Sequence, residues 1–247
     1  MVSGKKSDKV KLLDKLLADS LFATSELAEK QVRAGLVRVN GEVVDKPGVL
    51  VSRVSVISVE QRKEFVGRGA LKLAGALDTF KISPAGLVCV DVGACTGGFT
   101  DVLLQRGANK VYAIDVGYGD LDWKIRTDPR VVVMERTNVR YVASLPEPIS
   151  LVTIDVSFIS LTKVLGVVAQ WLPSGGTVIA LIKPQFEAAK DEVGEGGVIT
   201  DVAVQEKVVE RIVDFLPSVS LAKSGVTPSP ILGTEGNKEF LLWATKI

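Results

Sequence analysis

Residues 87–104 read Leu87-Val88-Cys89-Val90-Asp91-Val92-Gly93-Ala94-Cys95-Thr96-Gly97-Gly98-Phe99-Thr100-Asp101-Val102-Leu103-Leu104. An apolar run stops at Gly93, a turn of small residues follows, and an amphipathic segment begins at Phe99. The pattern predicts a strand, a glycine turn and a helix. Glycines let the backbone approach a ligand where a Cβ would collide, and a helix start adds free N–H groups. The spacing fits neither Gly-x-x-x-x-Gly-Lys-Ser/Thr nor Gly-x-Gly-x-x-Gly, which sets aside a Walker loop and the dinucleotide fingerprint. Taken alone, the segment also admits the lesser reading of a tight strand-to-helix turn with no ligand.

Outward from this turn, strands are expected over 110–115, 130–134, 150–156, 176–182, 219–226 and 239–245. Helical spacing recurs at 69–79, 98–106, 160–172 and 201–215. The alternation predicts an α/β fold, a doubly wound and mostly parallel sheet of seven strands. Such sheets bind ligands at the carboxyl ends of their strands. Asp115 ends the second strand about twenty residues after the turn, where an acid commonly accepts from ribose hydroxyls. It also reads as a strand-end cap. Asp155 follows an apolar run and needs a partner or an opening. Lys183 ends the next strand, and Pro184 stops the ladder there. These two residues come from strands expected to be neighbours. Lys72 reads either as a site residue or as a snorkelling lysine, and Glu239 either as a site residue or as an edge charge.

The composition narrows the chemistry. The chain of 247 residues contains no histidine, which excludes Ser-His and Cys-His catalysis and most transition-metal sites. Its two cysteines, Cys89 and Cys95, are too few for a disulfide framework or a zinc site. No metal is expected. Neither a signal peptide nor a membrane span is visible, and a reducing cytoplasm fits. Residues 1–72 carry 14 Lys/Arg against 9 Asp/Glu, whereas the rest is slightly acidic. The excess suggests an anionic partner for the front end, and reads equally as ordinary solvated surface.

The front end forms its own unit, over residues 1–59 with a basic tail at 1–8. Helical spacing covers 9–19 and 24–34, with Thr24 or Ser25 as N-cap. A hairpin is expected around Asn40-Gly41, and a short strand over 54–59. A charged connector, residues 60–64, leads to the second unit at 65–247. The strings Leu12-Leu13-Asp14, Ala34-Gly35-Leu36-Val37-Arg38-Val39-Asn40-Gly41 and Lys46-Pro47-Gly48 resemble the S-four-type (alpha-L) RNA-binding domain. The chain departs from that family at Leu12 and at Thr24-Ser25, where arginines are usual. The resemblance, together with the basic character, assigns RNA contacts to Lys11, Lys15, Lys30, Arg33, Arg38, Lys46 and, at the head of the second unit, Arg68.

The turn itself resembles the first motif of S-adenosylmethionine-dependent methyltransferases, Asp-x-Gly-x-x-x-Gly-Gly-x. That resemblance implies a Rossmann-like class I fold. It also implies cofactor contacts from Asp91, Gly93, Ala94, Cys95, Thr96, Gly97, Gly98, Phe99, Asp115, Asn138 and Asp155. The order Lys72, Asp155, Lys183, Glu239 resembles the catalytic tetrad of FtsJ-like RNA 2′-O-methyltransferases. Longer strings tighten the match: Val116-Gly117-Tyr118-Gly119-Asp120-Leu121-Asp122-Trp123-Lys124, Met134-Glu135-Arg136-Thr137-Asn138, Lys183-Pro184-Gln185-Phe186-Glu187 and Val193-Gly194-Glu195-Gly196-Gly197-Val198. They look like the TlyA family, which joins an S-four-type domain to an FtsJ-like methyltransferase. The resemblance implies ribose 2′-O-methylation of ribosomal RNA, with cytidine as target and ribosomal subunits as partners. A lysine, Lys183 by resemblance, would serve as base, and the second lysine would steady the developing oxyanion. A non-catalytic ribosome-assembly factor and a methyltransferase for another RNA are the competing readings. The family's historical haemolysin label finds no membrane-active segment to support it.

Overall fold

The computed structural model describes residues 8–60 and 64–247. All of the expected basic tail except Asp8, and residues 61–63 of the connector, lie outside the described residues. Two compact units divide the chain, Met1–Glu64 and Phe65–Ile247.

The first unit runs β1 (Lys9–Lys11), α1 (Leu12–Ala18), α2 (Ser25–Arg33), β2 (Val37–Val39), β3 (Glu42–Val43), β4 (Leu50–Ser52) and β5 (Ile57–Val59). The first helix starts at Leu12 rather than at residue 9, because Lys9–Lys11 is drawn out to pair antiparallel with β4. Thr24 caps α2 by accepting from the Leu27 N–H at 3.3 Å, as its side chain allows. Asn40 and Gly41, at φ 52° and 89°, turn β2 into β3. Left-handed backbone at both positions is what this short hairpin requires. Leu12, Leu16, Ala28, Val32 and Val37 are fully buried between the helices and the sheet. Glu60 belongs to this unit too: its N–H donates to Leu36 and its carboxylate pairs with Arg38 at 2.5 Å.

The second unit runs α3 (Ala70–Phe80), β6 (Val88–Val92), α4 (Gly98–Gln105), β7 (Lys110–Ile114), α5 (Trp123–Arg126), β8 (Val131–Met134), β9 (Leu151–Ile154), α6 (Thr162–Val168), β10 (Thr177–Ile182), α7 (Pro184–Glu187), α8 (Val202–Phe215), β11 (Leu221–Pro228) and β12 (Phe240–Lys246). The sheet order is β11-β12-β10-β9-β6-β7-β8. Neighbours from β8 through β10 are parallel, and β12 alone runs the other way. Successive residues of a strand face opposite sides. Val90 and Val92 therefore meet α6 and α8 on one face, while Cys89 meets α3 and α4 on the other. From β6 the chain moves outward to β7, and from β9 it moves the opposite way to β10. The strand order thus reverses between β6 and β9, which opens a crevice at their carboxyl ends. Gly93 and Asp155 sit there.

Candidate active site

The turn after β6 is shaped by what surrounds it. Gly93 has φ 85°, and a Cβ there would stand 2.8 Å from the carbonyl carbon of Asp155 and closer still to its oxygen. Gly97 has φ 94°, and a Cβ would meet Leu121 and Ile125 at 3.0 Å. A Cβ on Gly98 would stand 3.1 Å from the Ala70 nitrogen, so its absence lets α3 and α4 start side by side. The glycines therefore serve packing as much as ligand approach.

Two adjoining clefts open over this turn, of about 230 and about 460 Å³. Gly93, Cys95 and Asp155 line both. The larger is walled by Ile114, Val116, Val139 and Ile159, with Asp115, Asp120, Asn138 and Arg140 among its polar groups. The smaller is lined by Ala94, Thr96, Gly98 and Phe99, and by the cations Arg68, Lys72 and Lys183. The clefts share Asp155; the larger adds the acids Asp115 and Asp120 to its apolar walls, and the smaller adds the three cations.

The four residues of the expected tetrad form two ion pairs. Lys72 on α3 meets Glu239, just ahead of β12, at 2.5 Å, with side chains 10% and 2% exposed. The parallel pairing of β9 and β10 brings their ends together. There Lys183 Nζ lies 2.6 Å from Asp155 Oδ1, a charge contact too bent for an aligned hydrogen bond. It also donates to the Ser157 hydroxyl at 2.9 Å. Sequence reading passed over Ser157, although it sits two residues beyond Asp155. Arg68 donates to the Leu232 carbonyl at 2.7 Å, at the edge of the smaller cleft.

Asp115 accepts from the Cys95 N–H at 2.8 Å and the Gly117 N–H at 2.7 Å, which ties the two turns together. Asp91 corrects an expectation. It shares the Cys89 face of β6, so its carboxyl points beneath α4 and not into either cleft. It is fully buried and accepts from Thr100 at 2.7 Å and from Thr153 at 3.1 Å. Burial pushes this carboxyl up to about 7, against those hydrogen bonds and with help from the Asp155 charge. Gly97 likewise packs on α5 instead of lining a cleft. The Cys95 thiol is raised by burial and by Asp115, Asp120 and Asp155, which argues against a nucleophilic role.

In the first unit, Lys11, Lys30, Arg33 and Lys46 are exposed. Arg33 pairs with Glu29 at 2.7 Å. Lys15 differs from the rest. It is 8% exposed, donates to the Arg53 carbonyl at 2.8 Å and pairs with Asp19 at 2.9 Å. Its ammonium is spent inside the fold because α1 turns that face toward β4.

Comparison with known proteins agrees with this geometry. The FtsJ-like methyltransferase family matches residues 65–246, and the S4 domain matches residues 12–57. The 16S/23S rRNA (cytidine-2′-O)-methyltransferase TlyA of Mycobacterium tuberculosis is 42% identical over 234 residues, which is 92% of this chain and 87% of that protein. A solved Streptococcus thermophilus structure that carries a hemolysin name is 41% identical, with a TM-score of 0.71, and the match covers 98% of this chain and 90% of that one. A Listeria monocytogenes methyltransferase structure, 18% identical with a TM-score of 0.55, shares the fold. Among the described residues, no helix is long and apolar enough to cross a membrane. With a methyltransferase match across the whole second unit and an S4 match across the first, the chain belongs to the TlyA family of FtsJ-like methyltransferases.

Proposed function

We propose that the chain transfers a methyl group from S-adenosylmethionine to the ribose 2′-hydroxyl of a cytidine in ribosomal RNA. The observation that carries this reading is the convergence of Lys72–Glu239 and Lys183–Asp155 beside a glycine turn. The adjoining clefts suit the cofactor. Asp115 and Asn138 suit the nucleoside end, and the segment from Gly93 to Phe99 suits the amino-acid end. S-adenosylmethionine supplies an already electrophilic methyl group. The protein must therefore align and deprotonate a weak nucleophile. Lys183 Nζ, entering as the neutral amine, takes the hydroxyl proton onto its lone pair and becomes the ammonium, and the Lys72 ammonium stabilises the oxyanion that develops. Asp155 and Glu239 hold the two lysine side chains in place. The target follows from the activity named for the Mycobacterium tuberculosis relative. The exposed cations of the S4 domain supply affinity for RNA phosphates, and a ribosomal substrate calls for a cytoplasmic protein. Transfer of a tritiated methyl group to isolated ribosomal subunits, followed by mapping of the modified nucleotide, tests the reading. Label at a cytidine 2′-oxygen is expected. No incorporation into either subunit, or label on a base, rejects it.

A further inference from the structure

Besides its carboxylate partner, the Lys183 ammonium has a hydroxyl partner. It donates to Ser157 at 2.9 Å while Asp155 Oδ1 lies 2.6 Å away. Ser157 is exposed and lines the larger cleft, on the loop between β9 and α6. A hydroxyl on an open loop holds a fixed bond only if the loop itself is fixed.

This loop is anchored at both ends. At its start the Asp155 N–H donates to the Val92 carbonyl at 2.9 Å. At its end one Glu187 oxygen accepts from the Leu161 N–H at 2.6 Å, and the other accepts from the Ser160 hydroxyl at 2.8 Å. Glu187 is 6% exposed. Arg211 on α8 donates to the second oxygen at 3.1 Å and also to the Glu187 carbonyl. Between the anchors Phe158 has φ 63°. A residue with a Cβ stays in that region only where its surroundings over-determine the backbone. Glu187 also closes α7, the single turn that Lys183 precedes. One buried carboxylate thus braces both the element carrying the lysine and the loop carrying its acceptor.

We propose that Ser157 is a positioning residue for Lys183, held in register by Glu187. The proposal rests on the reading that Lys183 takes the substrate proton. An ammonium has three N–H directions. The bond to Ser157 fixes one of them and the Asp155 charge holds the nitrogen beside it, so that in the neutral amine the lone pair takes a remaining direction, toward the ribose hydroxyl. The other groups facing Lys183 are the Phe186 ring, 5.9 Å from Nζ, and across the smaller cleft Arg68 and the Glu239-paired Lys72.

Single-turnover methyl transfer to ribosomal subunits, at saturating cofactor and RNA, tests this with Ser157→Ala, Ser157→Thr, Glu187→Gln and the Ala/Gln double variant. Ser157→Ala should slow transfer by roughly ten- to a hundred-fold. Its melting temperature should stay at the wild-type value, since the residue is exposed, and saturating cofactor keeps any change in cofactor affinity out of the measured rate. Ser157→Thr should recover most of the rate. The double variant should be no slower than Ser157→Ala alone, because both changes act on one geometry. A Ser157→Ala rate within two-fold of wild type overturns the proposal. Fully multiplicative losses in the double variant overturn the part assigned to Glu187. A wild-type protein that labels neither subunit would instead sink the reading of Lys183 beneath it.

Discussion

Gly93 faces the Asp155 carbonyl so closely that no side chain fits between them. This contact joins the cofactor turn to the strand end that carries the lysine's partner. Gly93→Ala should therefore cost far more than the strain of a left-handed residue. Gly86 gives the comparison: its φ is 76° and nothing lies within 4 Å of a Cβ built there. Gly86→Ala should cost about 1–2 kcal/mol. Gly93→Ala should exceed this clearly and also abolish cofactor binding, as denaturant titration and calorimetry will tell. Equal costs at the two sites would refute the packing argument.

Lys72 and Glu239 make a different kind of claim. Both side chains are largely buried, so removing one partner strands the other's charge. Lys72→Met or Glu239→Gln alone should destabilise the fold by about 3–5 kcal/mol. The double variant should be more stable than the worse single one, yet still inactive. Urea unfolding of the three proteins measures this, and strictly additive losses would contradict a direct pair.

Lys183→Ala should leave cofactor affinity unchanged while methyl transfer falls by roughly two to four orders of magnitude. Single-turnover rates at saturating cofactor and RNA separate lost chemistry from weakened binding. A rate within a few-fold of wild type removes Lys183 from the mechanism.

The buried carboxyl of Asp91 makes stability depend on pH. Its folded value, about 7, lies above the ordinary aspartate value of 3.8. The folded state thus binds more protons than the unfolded state between these values. Its stabilising contribution is complete below about pH 4 and is lost as pH rises through about 7. Asp91→Asn keeps the shape without the titration. Between pH 5 and 8 the wild type should lose on the order of 3 kcal/mol relative to this variant. Parallel stability curves for the two proteins would show that Asp91 is ionised throughout.

In the S4 domain two lysines should part company. Lys46 is exposed, so Lys46→Ala should weaken binding to ribosomal subunits and reduce the salt slope by about one unit or less. Lys15 is buried against the Arg53 carbonyl, so Lys15→Ala should lower the melting temperature instead. Filter binding across a salt series, paired with thermal melts, distinguishes the two.

What could be read in the sequence was what repeats or interrupts a pattern. The strand ending at Gly93, the Asn40-Gly41 hairpin and the Thr24 cap each follow from local rules. The meeting of Asp155 with Lys183 was legible because adjacent parallel strands align their ends. The direction of a side chain was not. Asp91 belongs to the motif by position, but strand alternation turns it under α4. Lys15 looks like its solvent-facing neighbours until β4 pairs with β1 and covers it. Ser157 gives no signal by itself, since its partner lies 26 residues away. The single-turn helices Trp123–Arg126 and Pro184–Glu187 are too short to show a period.

The Lys72–Glu239 contact also dictates when the site comes into being. It closes a chain separation of 167 residues, and so distant a contact forms late, after local hairpins and helices. During synthesis the cofactor turn and the parallel strands emerge first, while the acid that completes the site comes with β12. A nascent chain still lacking that strand would hold Lys72 without its counter-charge. It would leave the ribosome's exit with its active site still incomplete.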